Sequence, residues 1–471
     1  MTVLAPGLRS SYRTWWLRCA VMDAADLDRQ ARTLSGCIPP LLVTRLLELG
    51  HDDEVEVQAR CGEWFCARAW ARLIGDQGRQ SQALEVLAPY VATGWWPAAR
   101  TQAELLEGWG RAEEAIALSR PYASTGGLRL EFFARLLARH GRTDEAITRL
   151  SAGIEDSLLA AALVDIAEGT GRDEDIAALL AARIPDQHRC DSPWCCSGLD
   201  PDSTIGLLAT IRERQDRVDE AIALLRTRHI TSVNNRDQLA DLLARHDRIE
   251  ELRAYAVTEH HGHAAQRLAE ALEERRDVEG AIAVYRQSGD SQDFRCHGTV
   301  RLADLLARHG RGGEGVDVMR HLAEAHNGDD WILHTWANLC LDQGRPEDGL
   351  ALLDALAAAR GREEDWDLYW IRLPLIAARD GVDAAIAQAR SHPEGSTSYA
   401  VPHIAELLAG AGRTEEAVAV LEQQASANSH DLAGHLIDLG RVKDAVMLLQ
   451  QRDSEPVPPV WTGSLFSDPP F

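Results

Sequence analysis

The sequence predicts an all-α, right-handed solenoid of about thirteen helix pairs, and two observations carry this prediction. A pattern recurs in which glycine and arginine precede acidic residues and then alanine with isoleucine or valine, as in Gly110-Arg-Ala-Glu-Glu-Ala-Ile. The same pattern returns at Gly141 and Gly412. From Gly50 to Gly440 the turn recurs in twelve steps over 390 residues, a mean of 32.5. A period of this length with two helical stretches is typical of a helical solenoid.

Each unit is predicted to contain a helix A, which ends at the turn, and a helix B, which follows the turn. The turn positions are Gly50, Gly78, Gly110, Gly141, Gly171, Asp216, Asp247, Arg276, Gly310, Gly344, Asp380, Gly412 and Gly440. Glycine suits the left-handed conformation that ends helix A. Apolar residues recur seven and eight positions before the turn, and alanine with isoleucine or valine recurs five and six positions after it.

Residues just after the turns have separate predicted roles at the start of helix B. We expect Thr143 and Thr414 to cap their helices, with the acidic residues behind them facing the positive helix end. Pro346 takes the first helical position, where its missing N–H costs nothing. Gly315 and Gly349 replace the recurrent alanine, and a small residue there lets helix B approach helix A closely.

At these positions the sequence resembles the tetratricopeptide repeat family. The family's small residue in helix A, its turn glycine and its helix B alanine correspond to Ala303, Gly310 and Gly315, and again to Ala405, Gly412 and Ala417. The resemblance covers residues 38–451 and implies the fold, whereas the motif is structural and does not name a function. Several units are shorter than the family's repeat and most lack its usual proline, so a related two-helix solenoid is the alternative.

The repeat register predicts five segments along the chain. They are a loosely structured leader at 1–22, N-terminal repeats at 23–183, an irregular insertion at 184–203, C-terminal repeats at 204–451 and a proline-rich tail at 452–471. The insertion lengthens the step from Gly171 to Asp216 to 45 residues. We interpret it as a loop or a broken helix, and as a candidate hinge between two solenoid halves.

The composition excludes several classes of function. A net charge of −24 opposes binding to a polyphosphate backbone, so no nucleic-acid partner is expected. Lys443 is the only lysine, which we interpret as codon bias in a GC-rich bacterial genome. It leaves no other lysine for Schiff-base or phosphate-loop chemistry. No apolar run has membrane-spanning length and no signal peptide is evident, so the expected location is the cytoplasm, with no membrane partner.

The cysteines of the insertion are the strongest candidates for a metal site. The insertion contains His188, Cys190, Cys195 and Cys196, which are of a type that can bind zinc. Adjacent cysteines rarely fill one tetrahedral site, however, and no paired Cys-x-x-Cys motif is present. A thiol-bearing loop is therefore the preferred interpretation, and no cofactor is expected.

Other cysteines and histidines also have structural explanations. We expect Cys61 and Cys66 to pack in the core as small apolar groups. The tract His260-His-Gly-His263 is interpreted as a helix junction, because neighbours one and two positions apart face different sides of a helix.

Arginines and tryptophans supply the candidates for partner binding. Arg139, Arg245 and Arg308 each precede a histidine and a turn, a placement that suits cations at a helix C-terminus. An arginine ladder for an acidic ligand is the functional alternative. The tryptophan candidates near the starts of A helices are Trp64, Trp96, Trp331, Trp366 and Trp370.

Core packing is the alternative for each of these tryptophans. The resemblance implies that Trp331 and Trp370 occupy positions that commonly line the family's concave groove. It also implies that Trp70 and Trp336 occupy the core leucine position. Three aromatic residues of the tail, Trp461, Phe466 and Phe471, form a further candidate docking segment.

The leading functional hypothesis is a non-catalytic scaffold whose concave face binds a protein or a peptide. The alternative is a regulatory or sensor protein that responds to a small molecule or short peptide through the break at 184–203. The third is an enzyme with an unrecognised site that uses the insertion thiols. No zinc-protease histidine pair, nucleophile elbow or complete phosphate loop supports the third hypothesis.

Overall fold

The computed structural model describes residues 23–34, 36–184, 199–228, 232–233, 236–259, 262–287, 292–326, 329–360 and 365–450. The predicted leader and tail, and most of the predicted insertion, lie outside these residues.

Helices dominate the described residues. The first part of the chain contains α1 (Ala24–Thr33), α2 (Pro40–Glu48), α3 (Asp52–Arg60), α4 (Trp64–Asp76), α5 (Gln80–Ala92), α6 (Trp96–Gly108), α7 (Ala112–Ser119), α8 (Gly127–Arg139), α9 (Thr143–Ser151), α10 (Ser157–Ala167) and α11 (Asp173–Ala181). The middle contains α12 (Pro201–Arg214), α13 (Val218–Leu225), α14 (Gln238–Arg245), α15 (Ile249–Thr258), α16 (His263–Glu274), α17 (Val278–Gln287), α18 (Gln292–Arg308) and α19 (Gly312–Ala325). The last part contains α20 (Asp330–Asp342), α21 (Pro346–Arg360), α22 (Trp366–Tyr369), α23 (Arg372–Asp380), α24 (Val382–Ser391), α25 (Val401–Gly410), α26 (Thr414–Leu421), α27 (Ser429–Asp438) and α28 (Val442–Gln450).

The only extended elements among the described residues form a two-stranded ribbon. Strands β1 (Ser232–Val233) and β2 (Arg236–Asp237) pair antiparallel, with Ser232 opposite Asp237. Short 3₁₀ segments follow two of the helices, at Arg120–Thr125 and Glu422–Gln424. None of the described helices has the length and apolarity required to cross a bilayer.

Thirteen helix pairs account for α2 to α28 in the described part of the chain, with α22 as a short helix before α23. Each pair consists of an A helix and the B helix that follows it, and within each of the two compact units described below consecutive pairs pack against each other. The shared core is aliphatic: Leu302 and Ala303 of α18 are 5% and 1% exposed, and Ala281 and Ile282 of α17 are 0% and 1% exposed. The prediction of an all-α, tetratricopeptide-like solenoid is confirmed.

The turns show why the repeat tolerates losses of glycine. Asp216, Asp247 and Arg276 have φ values of 58°, 60° and 66°, the left-handed conformation that glycine adopts at the other turns. The predicted turn at Asp380 is wrong by one residue. Helix α23 continues through Asp380, and Gly381 carries the positive φ of 94°.

Two predictions about the start of helix B have different outcomes. Gly315 does allow close approach, because a Cβ there would lie 2.9 Å from the backbone oxygen of Ala303 in helix A. Thr143 and Thr414 are not caps: they are the first helical residues, and Arg142 and Arg413 occupy the N-cap positions. The turn residue is left-handed, so the arginine after it becomes the cap and the threonine already has helical geometry.

Contacts divide the chain into two compact units. Unit 1 combines the described residues up to Leu118 with those from Arg390 onward, and unit 2 runs from Ser119 to Ala389. The units therefore do not divide at the insertion at 184–203 that was interpreted as a hinge. Arg214 of α12 donates to the backbone oxygen of Val164 at 2.6 Å, so repeats on both sides of the insertion are joined within unit 2.

Unit 1 brings the first and last described repeats into contact. Arg45 on α2 donates to Asp438 on α27 at 2.8 Å, and Gln450 on α28 donates to Gln58 on α3 at 2.7 Å. The side chain of Leu42 lies 3.6 Å from where a Cβ of Gly434 would be. A helices therefore face A helices across this contact, as they do between consecutive repeats.

Candidate functional site

Two of the candidate tryptophans pack in the core. Trp64 is 5% exposed and makes edge contacts with Tyr90 and Trp95, with ring centroids 5.1 and 4.8 Å apart. Trp366 is 1% exposed. Burial removes both from the candidates for a surface that binds a partner. Trp96, at the start of α6, is half-buried.

Trp331 on α20 is the one exposed tryptophan among the described residues, with 43% of its surface accessible. Its ring stacks on His297 of α18, with centroids 5.3 Å apart and an interplanar angle of 22°. One turn further along α20, His334 contacts Trp370, with centroids 5.1 Å apart. Asn338 lies 3.4 Å from His334 Nδ1 on the same side of the helix.

These contacts form two ring pairs, which both include a residue of α20 and together span three successive repeats of unit 2. We call His297, Trp331, His334 and Trp370 the aromatic stripe. It includes the two tryptophans that the family resemblance placed in the groove, together with two histidines that the sequence analysis did not select. We call the solvent-facing side of α14, α16, α18, α20 and α22–α23 the A-helix face of unit 2.

The candidate arginines join neighbouring repeats. Arg245 donates through two nitrogens to Glu213 of the preceding repeat at 3.1 and 2.9 Å, and His246 lies 2.9 Å from the same carboxylate. Arg308 repeats this arrangement with Glu273 at 3.3 and 2.9 Å. Arg139, in the same position, is exposed. For Arg245 and Arg308 these bonds explain the recurrence of arginine without an acidic ligand.

Glu213 and Glu273 both have lowered pKa values because of these partners. Burial works to raise the pKa of Glu213, but the hydrogen bonds and charges of Arg245 and His246 outweigh it, so its pKa is lowered. The pKa of Glu273 is likewise lowered, because Arg308 and His309 outweigh the effect of burial. Each carboxylate therefore connects one A helix to the next near neutral pH.

A cavity of about 490 Å³ opens on the A-helix face of unit 2 between α14 and α16. We call it the acidic pocket. Its lining residues are Asp237, Asp241, Arg245, His263, Gln266, Arg267, Glu270 and Glu274. Four carboxylates face two guanidinium groups, so the pocket carries an excess of negative charge.

Two carboxylates of the acidic pocket are held by hydrogen bonds within the protein. The Oδ1 atom of Asp237 accepts the N–H groups of Leu239 and Ala240 and thereby caps α14, and its Oδ2 atom accepts the hydroxyl of Tyr255 at 2.6 Å. Gln266 donates to Glu270 at 2.8 Å. These bonds restrain Asp237 and Glu270 in place.

The distance of a residue from its turn places His297 at the position equivalent to Trp331. Trp331 lies thirteen residues before the turn at Gly344, and the same offset from Gly310 and Arg276 gives His297 and His263. His263 was interpreted from the sequence only as part of a helix junction and His297 was not selected, whereas His334 lies ten residues before Gly344 and does not share this offset. Trp64 and Trp366 lie fourteen residues before their predicted turns, and one residue rotates a side chain by about 100° around a helix.

The weak metal candidates cannot be placed, because His188, Cys190, Cys195 and Cys196 lie outside the described residues. Within the described ranges, no group of three or more histidine, cysteine, aspartate or glutamate side chains could hold a metal ion. Cys66 is buried as expected, whereas the prediction for Cys61 is wrong because it is exposed at the end of α3. Burial raises the pKa of the Cys66 thiol and raises that of Cys340 to about 12.

Proteins similar to this chain are found only among the solved structures. No protein-family description and no curated protein matches the sequence. The structure titled Naa15/Naa10 bound to HypK-THB is 13% identical, with a TM-score of 0.45 over 94% of this chain and 67% of that chain. A tetratricopeptide repeat protein from Parabacteroides merdae is 14% identical, with a TM-score of 0.26 over 66% of this chain and 99% of its own.

Structural similarity with such low sequence identity and TM-scores gives no information about function. On the geometry of its own helix pairs, the chain is an all-α solenoid of tetratricopeptide-like repeats.

Proposed function

We propose that the protein is a non-catalytic scaffold that binds an extended peptide segment of a partner protein on the A-helix face of unit 2. The observation that carries this proposal is the exposure of Trp331, whose ring is stacked on His297 and is 43% accessible. The other tryptophans that the sequence analysis placed near the starts of A helices are buried or half-buried.

An exposed and oriented indole suits an interface anchor. Tryptophan contributes a large apolar area, and residues of this type dominate the binding energy of many interfaces. Stacking on His297 restrains the ring before binding, so less side-chain entropy is lost when a partner covers it. The proposal therefore assigns affinity to the aromatic stripe.

The repeat geometry favours an extended ligand. The stripe crosses α18, α20 and the start of the α22–α23 repeat through ring contacts. Packed helices lie about 8–10 Å apart, which corresponds to about three residues of extended chain. About every third side chain of an extended ligand can then contact the next A helix.

The environments of two buried cysteines, Cys66 and Cys340, oppose nucleophilic catalysis by these residues. A reactive cysteine requires a lowered thiol pKa, whereas burial raises the pKa of Cys340 to about 12 and raises that of Cys66. The enzyme hypothesis relied on thiols of the insertion, which lie outside the described residues.

The proposal is tested by comparing partner capture with the native protein, Trp331→Ala and Val257→Ala. Val257 is a matched control, because it is an apolar residue on α15, a B helix, and is 83% exposed. We expect Trp331→Ala to weaken binding of captured partners by tenfold or more, as loss of an interface anchor does. Equal binding by all three proteins would remove the support for this face.

A further inference from the structure

The acidic pocket has the charge to receive a cation. Its carboxylates belong to Asp237, Asp241, Glu270 and Glu274, and its cations are Arg245 and Arg267. Arg245 makes its close contacts outside this set of carboxylates, with Glu213. One guanidinium is therefore left to balance four carboxylates within the pocket.

Arg267 is shared among three of those carboxylates and donates a hydrogen bond to Glu274. Its nitrogens lie 3.3 Å from Glu274, 3.5 Å from Asp241 and 3.6 Å from Glu270. The side chains of Glu270 and Glu274 are 42% and 66% exposed, so both are accessible from the pocket. Both carboxylates therefore keep exposed surface that a second cation can contact beside Arg267.

His263, which lines the pocket, and His297 of the aromatic stripe both lie thirteen residues before their turns, so the pocket is on the same face of the A helices as the stripe. Arg308 of α18 bonds to Glu273 of α16, and His297 of α18 stacks on Trp331 of α20. An extended segment on the stripe therefore meets α18 and then the pocket as it crosses successive A helices of unit 2.

We propose that the acidic pocket binds a basic side chain, arginine or lysine, of the same peptide segment whose apolar side chain packs on Trp331. This inference rests on the proposed function and specifies the partner: an extended segment with one cationic and one apolar anchor. Opposite charge across the contact supplies specificity, and the stripe supplies the apolar contact.

The helix spacing sets the separation of the two anchors. Two helix steps lead from α16 to α20, and at about 8–10 Å per step they span about 16–20 Å. An extended chain advances about 3.3 Å per residue, so the anchors are separated by about five or six residues.

The experiment measures the affinities of short fluorescein-labelled peptides that carry one tryptophan and one arginine at every separation up to about nine residues. A parallel series carries citrulline, the neutral analogue of arginine. The full-length protein is compared with Glu270→Gln/Glu274→Gln and with Trp331→Ala. The charge control is Glu250→Gln/Glu279→Gln, which removes the same charge from the B helices α15 and α17.

We expect the arginine peptides to bind about tenfold more tightly than the citrulline peptides, with an optimum near five or six residues of separation. Glu270→Gln/Glu274→Gln should abolish this preference, and the control should retain it. Trp331→Ala should weaken both series.

The outcomes separate the two proposals. If the pocket variant keeps the preference for arginine while Trp331→Ala weakens binding, the pocket inference is overturned and the proposed function stands. If Trp331→Ala binds both series as the native protein does, the proposed function fails and the pocket inference fails with it. Absence of measurable binding to any peptide in either series overturns both.

Discussion

Arg45 in the first described helix pair donates its Nε–H to Asp438 in the last, at 2.8 Å, although 393 residues separate them in sequence. The analogous pair between consecutive repeats is Arg72 on α4 and Glu104 on α6, 3.0 Å apart. The contact in unit 1 therefore uses the same kind of A-helix pairing that joins sequential repeats. In a linear array the terminal repeats would each leave one face without a neighbouring repeat.

Reversing this ion pair tests whether the two terminal repeats stabilise each other. Arg45→Asp places a carboxylate beside Asp438, and Asp438→Arg places two guanidinium groups together. We expect each single variant to lower the midpoint of thermal unfolding, measured by circular dichroism, and the double variant to recover part of the loss. A double variant whose loss equals the sum of the two single losses would contradict a direct coupling.

The left-handed turn at Arg276 predicts that replacing this arginine by glycine stabilises the protein. Its φ of 66° is a left-handed conformation that costs an L-residue about 1–2 kcal/mol, and glycine avoids this cost while losing about 0.5–1 kcal/mol in chain entropy. We expect Arg276→Gly to raise the free energy of unfolding by about 0.5–1 kcal/mol in urea denaturation.

Gly310 provides the reverse experiment at an equivalent turn. Its φ is 75°, and a Cβ there would meet no atom within 4 Å, so Gly310→Ala isolates the conformational effect. We expect it to lower the free energy of unfolding by about 0.5–1 kcal/mol, because the left-handed conformation costs alanine more than the removal of glycine's chain entropy returns. Changes of the same sign in both variants would show that the left-handed conformation does not govern these turns.

The close packing of helices at Gly315 predicts that replacing this glycine by alanine destabilises the protein. A Cβ at this position would lie 2.9 Å from the backbone oxygen of Ala303, which cannot rotate away as a side chain can. We expect Gly315→Ala to lower the free energy of unfolding by about 1–3 kcal/mol, the usual cost of overpacking.

Gly313, two residues earlier in α19, is the matched control for Gly315. A Cβ there would meet only the end of the Arg345 side chain, at 3.6 Å. Because alanine is the better helix former, Gly313→Ala should be neutral or stabilise by up to about 1 kcal/mol. If both substitutions have the same effect, close helix approach does not explain the glycine.

The period of the sequence was sufficient to predict the helix pairs, because each turn combines a local backbone requirement with apolar residues at fixed distances. It even placed Asp216, Asp247 and Arg276 correctly at left-handed turns. It failed at Asp380, where a glycine one residue later takes the turn. A one-residue shift within a mean period of 32.5 residues is too small for the repeat pattern to resolve.

The functional face was harder to predict, because exposure depends on rotation around the helix. Trp64 and Trp331 differ by one residue in distance from their turns, yet they are 5% and 43% exposed. The ion pair between Arg245 and Glu213 was also hidden, since it joins side chains 32 residues apart in different repeats. The acidic pocket likewise depends on two A helices that are not consecutive in sequence.

Glu63 gives unit 1 a specific dependence of stability on pH. The residue is 7% exposed and accepts the N–H of Cys66 at 2.5 Å, as the cap of α4. Burial raises the pKa of Glu63 above its ordinary value of 4.5, and the hydrogen bond from Cys66 offsets part of this rise.

The sign of the effect follows from proton binding. The folded protein retains the proton of Glu63 at pH values where the unfolded chain has lost it, so this contribution to stability is complete below pH 4.5. It is lost as the pH rises through the raised pKa of the folded state. Glu63→Gln keeps an oxygen for the cap and removes the titration, so its unfolding midpoint relative to the native protein should increase from pH 4.5 toward pH 8.

Thermal unfolding of both proteins across this pH range measures that difference, and Glu85→Gln, at an exposed position on α5, controls for the loss of one carboxyl group. A difference between Glu63→Gln and the native protein that stays constant with pH would show that Glu63 titrates alike in the folded and unfolded chains. A difference that shrinks with rising pH would mean that the cap stabilises the charged form more than burial opposes it.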